Sequence, residues 1–350
     1  MIDLLLILTA SILGLMAHLA RKKDLLSWFL KASIFLAGLV EFMWLILLSL
    51  KSFVGRESEP QKITILTLLA PATCLILFVH ARELVSRLLT SLELIMTLQI
   101  FVPLIRKKIN PADYFERKRI FLPASLPHLI ALCAYISAAA YFYITMQDRN
   151  TVEQVNELTP RAILFEQLFS PNGFSSILLS FCGIGIFVSR NFKQALLRLG
   201  LAKPHVLQIL LGIFLIFASF AYDAVWAICT HHLAGEDLAT QLSGYNSGTF
   251  TFAGTFIPSV ALAIIMVLLT GISEEILIRG ALQPVFGILP VAFLHGMLHA
   301  HMAHGPVLIV KITIWSAFMG FIRRYTNTTT TIIGHAGLNL ATILLFAANP

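Results

Sequence analysis

Ser273-Glu274-Glu275-Ile276-Leu277-Ile278-Arg279-Gly280 places two adjacent carboxylates and a guanidinium inside hydrophobic sequence. At the centre of a bilayer helix each such charge costs about 2.5–3.5 kcal/mol on insertion scales, so intramembrane charges face partners, water or a reaction. Residues four apart stack on one helical face, whereas adjacent residues point about 100° apart. Glu275 and Arg279 are therefore expected to pair, with the acid on the favourable amino-terminal side. Glu274 points elsewhere and is expected to be a free carboxylate aimed into a cavity.

The surrounding chain is that of a membrane protein. Of 350 residues, 57% are hydrophobic and 12% charged, against about 25% charged in soluble domains. Apolar stretches run 2–20, 25–50, 63–81, 121–146, 173–189, 206–230, 252–270, 290–304, 306–322 and 331–348. At ~20 residues per span, the expectation is an all-α, polytopic transmembrane bundle of roughly ten spans, with no soluble catalytic domain beside it. Residues 1–20 read as a retained first span, because Asp3 replaces a basic leader start and Arg21, Lys22 and Lys23 follow the apolar run.

The net charge of +7 falls in short basic clusters between apolar stretches, which orients loops towards the cytoplasm and argues against nucleic acid as a partner. The acidic loops at 147–170 and around Glu236 and Asp237 go outside. Residues 84–105, basic at both ends, are expected to lie in the interface or re-enter. Residues 106–120 are the candidate boundary between an amino-terminal bundle of unknown role, 1–120, and a catalytic bundle, 121–350, with its motif-bearing core at 206–350. Cys74, Cys133, Cys182 and Cys229 stand singly, without zinc or disulfide spacing, and read as core fillers.

Downstream of the glutamates lie His295-Gly296-Met297-Leu298-His299 and His335-Ala336-Gly337-Leu338-Asn339. His295 and His299 share a face, as do His335 and Asn339, while Gly334 and Gly337 admit a close neighbouring helix. His301 and His304 follow at what reads as a wet helix end. Structural salt bridging alone accounts for Glu274, Glu275 and Arg279, but not for this many histidines. Glu41 and Glu93, outside any cluster, read as structural; Asp223, intramembrane and near these motifs, is read as bonding to a neighbouring helix, with lining of the cavity as the alternative.

The order Glu-Glu-x-x-x-Arg, a histidine motif, then His-x-x-x-Asn resembles the CAAX prenyl protease and bacteriocin-processing (CPBP, or Abi) family of intramembrane endopeptidases. The motifs span 274–339, and the likeness extends over about 206–350. The resemblance implies that Glu274 and His299 activate water and that His335 and Asn339 stabilise the oxyanion, with Glu275, Arg279 and His295 supporting. His295 stands where the family usually has Phe, which leaves the lining of the cavity open.

It further implies a membrane protein or lipidated peptide as substrate, and the expected residence is as a multi-pass protein in a bacterial plasma membrane; the topology, which puts Glu274 just after the 252–270 span on the cytoplasmic side, predicts a site opening to the cytoplasm. No cofactor is expected, because asparagine suits an oxyanion hole better than a zinc shell; the alternative is zinc on Glu274, His299 and His335. Two other classes stay open: a proton-coupled transporter using the same residues, and an idle immunity-type scaffold. The concentration of polar residues in the last quarter, with no earlier counterpart, speaks against paired transporter halves.

Overall fold

The computed structural model describes residues 2–55, 73, 77–97, 118–147, 173–254, 257–299 and 305–348. Those residues are helical with connecting turns, and no strand occurs among them. The amino-terminal part contributes α1 (Ile2–Ala20), α2 (Asp24–Gly55) and α3 (Val79–Met96). After them come α4 (Leu126–Gln147), α5 (Phe174–Gly183), α6 (Phe192–Leu199) and the long α7 (Val206–Gly254). Helix α8 (Ile257–Glu275) then runs through a π-helical stretch, Ile276–Leu282, into the short α9 (Gln283–Phe286). The chain closes with α10 (Ile288–Leu298), α11 (Gly305–Tyr325) and α12 (Thr328–Ala348).

Besides its apolar core clusters the bundle carries an apolar surface and a set of buried polar groups, unlike a water-soluble bundle. Leu25, Trp28, Leu207 and Ile228 are largely exposed, while Ser86, Thr90, Glu93, Ser175, Ser176 and Ser180 are buried. Helix α3 shows both within one element, with Ser86, Thr90 and Glu93 inside beside Leu89 and Leu94, and Leu84, Leu88 and Ile95 outside. An apolar exterior of this extent calls for a covering.

Among the described residues one segment, Val206–Thr230 of α7, is both long and apolar enough to cross a bilayer. The ten-span expectation thus has support at one segment and is corrected at another. The run 173–189 folds as the ten-residue helix α5, about 15 Å long at 1.5 Å per residue and half a hydrocarbon core. It ends because Gly185 takes φ +79° and Phe187 φ +61°, left-handed conformations that a helix cannot continue through. The described part of the apolar run 290–304 belongs to the eleven-residue α10 and its cap at His299, and the 63–81 run lies mostly outside the described residues.

Close helix crossings bring the polar segments together. A Cβ on Gly271 of α8 would lie 2.7 Å from Ala336 Cα of α12, so the two backbones touch one turn from the paired glutamates and next to His335. Gly334 and Gly337, read as contact points for another helix, face Leu215 and Ile216 of α7. On the opposite side α1 docks on α5, where the buried His18 sets Nε2 3.0 Å from the Gly183 carbonyl and Nδ1 3.0 Å from Ser189 Oγ. Asp223 pairs with Lys311 across α7 and α11 at 2.7 Å, in keeping with a structural role. Cys182 is buried as a filler should be, but Cys229 is exposed.

Replacement of Gly271 by Val must push α8 from α12, because the obstructing atoms are backbone. Thermal unfolding of detergent-purified protein should show Gly271→Val destabilised by about 1–3 kcal/mol. Gly183→Ala, where a Cβ meets nothing within 4 Å, should stay within about 0.5 kcal/mol of wild type.

Candidate active site

The helix bearing both glutamates changes character immediately after them. Pro284 has no N–H to give the Gly280 carbonyl four residues earlier, and in α geometry its ring would clash with that carbonyl. The chain answers with the wider π turn at Ile276–Leu282, a form found mostly as short insertions at functional sites. The freed Gly280 carbonyl accepts instead from Arg198 Nη1 of α6 at 3.2 Å. Burial and the nearby Arg190 and Arg323 hold the Arg198 guanidinium down to about 10.

Within this helix Glu275 and Arg279 do pair, at 3.2 Å, with the two side chains 0% and 1% exposed. Arg279 extends further than the spacing foretold. Its Nη1 reaches His295 Nδ1 of α10 at 3.3 Å, and its Nη2 donates to Ser316 Oγ of α11 at 3.0 Å.

Glu274 is the principal departure from the sequence reading. It is 3% exposed and is not without a partner, because His295 Nε2 lies 3.0 Å from its Oε2. These contacts define the tautomer of His295. An arginine only donates, so Nδ1 accepts from Arg279, the ring proton sits on Nε2, and Nε2–H donates to Glu274. The residue occupying the expected Phe position is therefore a relay from a buried cation to the carboxylate.

His299 terminates α10 and places Nδ1 2.9 Å from the His295 carbonyl. A carbonyl only accepts, so Nδ1 carries the proton and Nε2 keeps its lone pair. One donor atom each from Glu274, His295 and His299 lies within 4.8 Å of the others. From α12, His335 sets Nδ1 3.0 Å from Glu275 Oε1 and Nε2 3.9 Å from Glu274 Oε2. The His335 side chain is 17% exposed, and His299 too is only partly buried, whereas Glu274 and His295 are buried. Asn339 stands one helical turn beyond it, half-buried, on the same face of α12. His301 and His304 lie outside the described residues.

The donor set can be tested against zinc. The three groups that lie together include His295, whose Nδ1 is engaged by Arg279 and whose Nε2 bears the proton, so it has no lone pair to offer without becoming an imidazolate. Glu274, His295 and His299 therefore do not fit a zinc site in this arrangement.

Sequence reasoning assigned Glu93 a structural role, and the structure shows what that role touches. Buried on α3, its Oε2 accepts from the Ile288 N–H at 2.8 Å and thereby caps α10, the helix that carries His295 and His299. Gly287, at φ +84°, makes room, since a Cβ there would sit 3.0 Å from the same oxygen. Tyr135 of α4 donates to the Pro290 carbonyl at 2.8 Å, a second tie on the start of α10. A carboxylate 195 positions away in sequence leaves no periodic signal that would have revealed the cap.

Two buried glutamates are thus answered by histidines from two other helices, in a largely apolar chain. Residues 256–341, which carry every motif residue named above, match the family model described as type II CAAX prenyl endopeptidase Rce1-like. The CPBP resemblance is thereby borne out, and the matching family is one of endopeptidases. Neither a comparison with curated proteins nor one with solved structures found a match.

Loss of the cap should loosen α10 locally. Glu93→Ala is expected to lower stability by roughly 1.5–3 kcal/mol, as for a buried bond to a charged group, and to speed hydrogen exchange at the Ile288 amide. Glu93→Gln keeps an acceptor oxygen and should recover most of that protection.

Proposed function

We propose that the chain is an intramembrane endopeptidase that hydrolyses a peptide bond of a membrane-associated or lipidated substrate with water activated by Glu274 and His299. The observation that carries the reading is the convergence of Glu274, His295, His299 and His335 in one buried cluster, inside the segment that matches the endopeptidase family. Peptide hydrolysis needs a base for water, donors where the carbonyl oxygen turns negative, and an acid for the leaving amine.

Each requirement has a group in reach. A Glu274 carboxylate oxygen and a ring nitrogen of His299 lie within 4.8 Å of each other, a gap that one water spans with two ordinary hydrogen bonds. The water's proton passes to Glu274, and an acid of the pair returns a proton to the departing nitrogen. His335, oriented by Glu275 through Nδ1, presents Nε2–H when doubly protonated, and the Asn339 amide adds a second donor for the oxyanion. Arg279 acts as a positioning residue, holding Glu275 and fixing the His295 proton on the side of Glu274.

The reaction proceeds without a metal in this reading, because asparagine suits an oxyanion hole better than a zinc shell and the His295 tautomer removes one ligand from the three that lie together; the alternative is zinc on Glu274, His299 and His335. The substrate reaches the cluster along its partly exposed His335 side, in a multi-pass bundle with the site opening to the cytoplasm. Paired carboxylates and histidines also serve proton relays, but the match to endopeptidases favours hydrolysis.

Quantitative comparison of membrane proteins from cells carrying wild type, Glu274→Ala or His299→Ala should reveal at least one polypeptide that stays uncut in both variants. With purified protein and that substrate, each substitution should lower cleavage by at least about 10²-fold. A chelator should leave the wild-type rate unchanged. Unaltered processing in both variants at normal protein levels would sink the protease reading, and zinc-restorable loss on chelation would sink the metal-free mechanism. Proton flux lost in the same variants, without any change in processing, would identify a transporter.

A further inference from the structure

A second polar site lies away from the glutamates. A cavity of about 480 Å³ opens where the end of α1, the start of α2, the start of α3 and the 119–127 segment meet, within the size range of small-molecule sites. Three cations line it, Arg21, Lys31 and Arg119, against one acid, Glu83. Glu83 is already engaged by Arg119 Nη1 at 3.1 Å. Among the described residues no ion pair offsets Arg21 or Lys31, and the cavity lining carries three cations against one acid.

The position of Lys31 is the second observation. On α2 it falls three residues after Trp28 and four before Phe35, on the same helical face. Trp28 is 68% exposed and Phe35 54%, so an ammonium interrupts an outward apolar stripe. A lysine in such a stripe lays its stem along the apolar surface and delivers its charge to the nearest polar place. That place is the cavity, which Lys31 lines together with Ser27 one turn earlier on the same helix.

We propose that this cavity binds the phosphate of an anionic phospholipid, whose acyl chains lie along the Trp28–Phe35 face. The inference rests on the reading that the chain resides in a bilayer and is independent of the protease chemistry. A soluble anion would use the same two charges but has no need of the stripe, whereas a lipid uses both. Basic clusters orient this end of the bundle to the cytoplasm, the side on which pockets between helices take acidic headgroups.

Full-length protein purified in detergent would be titrated with phosphatidylglycerol, with phosphatidylcholine, and with inorganic phosphate, with bound lipid read by native mass spectrometry. Phosphatidylglycerol should bind selectively, and the Arg21→Gln/Lys31→Gln double variant should bind it about 30-fold more weakly, a loss of about 2 kcal/mol at about 1 kcal/mol per basic residue. Lys23→Gln removes a charge from the same cluster outside the cavity and should bind as wild type does. Equal weakening in Lys23→Gln, or equal retention of both lipids, would overturn the proposal. Displacement of phosphatidylglycerol by millimolar phosphate would assign the cavity to a soluble anion and overturn the lipid. If the double variant does not fold, hydrogen exchange on wild type decides, because lipid-dependent protection must fall at 21–31 and 119–127 and protection elsewhere refutes it. Recovery of the chain without detergent would instead remove the bilayer reading itself.

Discussion

The buried guanidinium of Arg279 is the interaction on which the site depends. It ties together three elements through one side chain: Glu275 on its own helix, His295 on α10 and Ser316 on α11. A charge so enclosed is tolerable only when its donors find acceptors, and removal of one partner of a buried pair is far more damaging than the pair is stabilising. Its strongest effect is on proton placement. Because arginine cannot accept a hydrogen bond, it forces the His295 proton towards Glu274 and leaves that carboxylate poised as an acceptor with one site already filled.

Around this centre the fold acts as a set of clamps on short helices. Helix α10 is too short to span a membrane alone, yet it carries His295 and His299, and its amino-terminal end is held by Glu93 from α3 and Tyr135 from α4. The amino-terminal elements therefore do more than pad the bundle, since one supplies the cap for a histidine-bearing helix. Glycines do the complementary work, drawing α8 against α12 at Gly271 and α12 against α7 at Gly334 and Gly337.

The sequence made some of this legible and hid the rest for identifiable reasons. Helical spacing disclosed the Glu275–Arg279 pair because both residues sit on one local stretch, where period and contact coincide. The same spacing left Glu274 alone, since its partner comes from another helix 21 residues on. His295 was legible as a histidine and as a departure from the family's Phe, but its relay role needed the Arg279 contact to be seen. Hydropathy overcounted spans where apolar composition continued through a helix end, as at Gly185 and Phe187, because composition carries no record of backbone conformation. Whether 1–120 and 121–350 are separate units is a question of packing, on which composition is silent.

The π stretch at Ile276–Leu282 has a geometric meaning beyond its shape. A π turn is an α-helix that has accommodated one surplus residue without breaking, so everything after it is rotated by about 100° relative to an uninterrupted helix. That rotation aims Gln283, whose Nε2 donates to the Gly320 carbonyl of α11 at 2.8 Å. The glutamates lie upstream of the slip and Gln283 downstream, so one inserted residue's worth of phase lets a single helix address α10 and α12 with its acids and grip α11 with its amide.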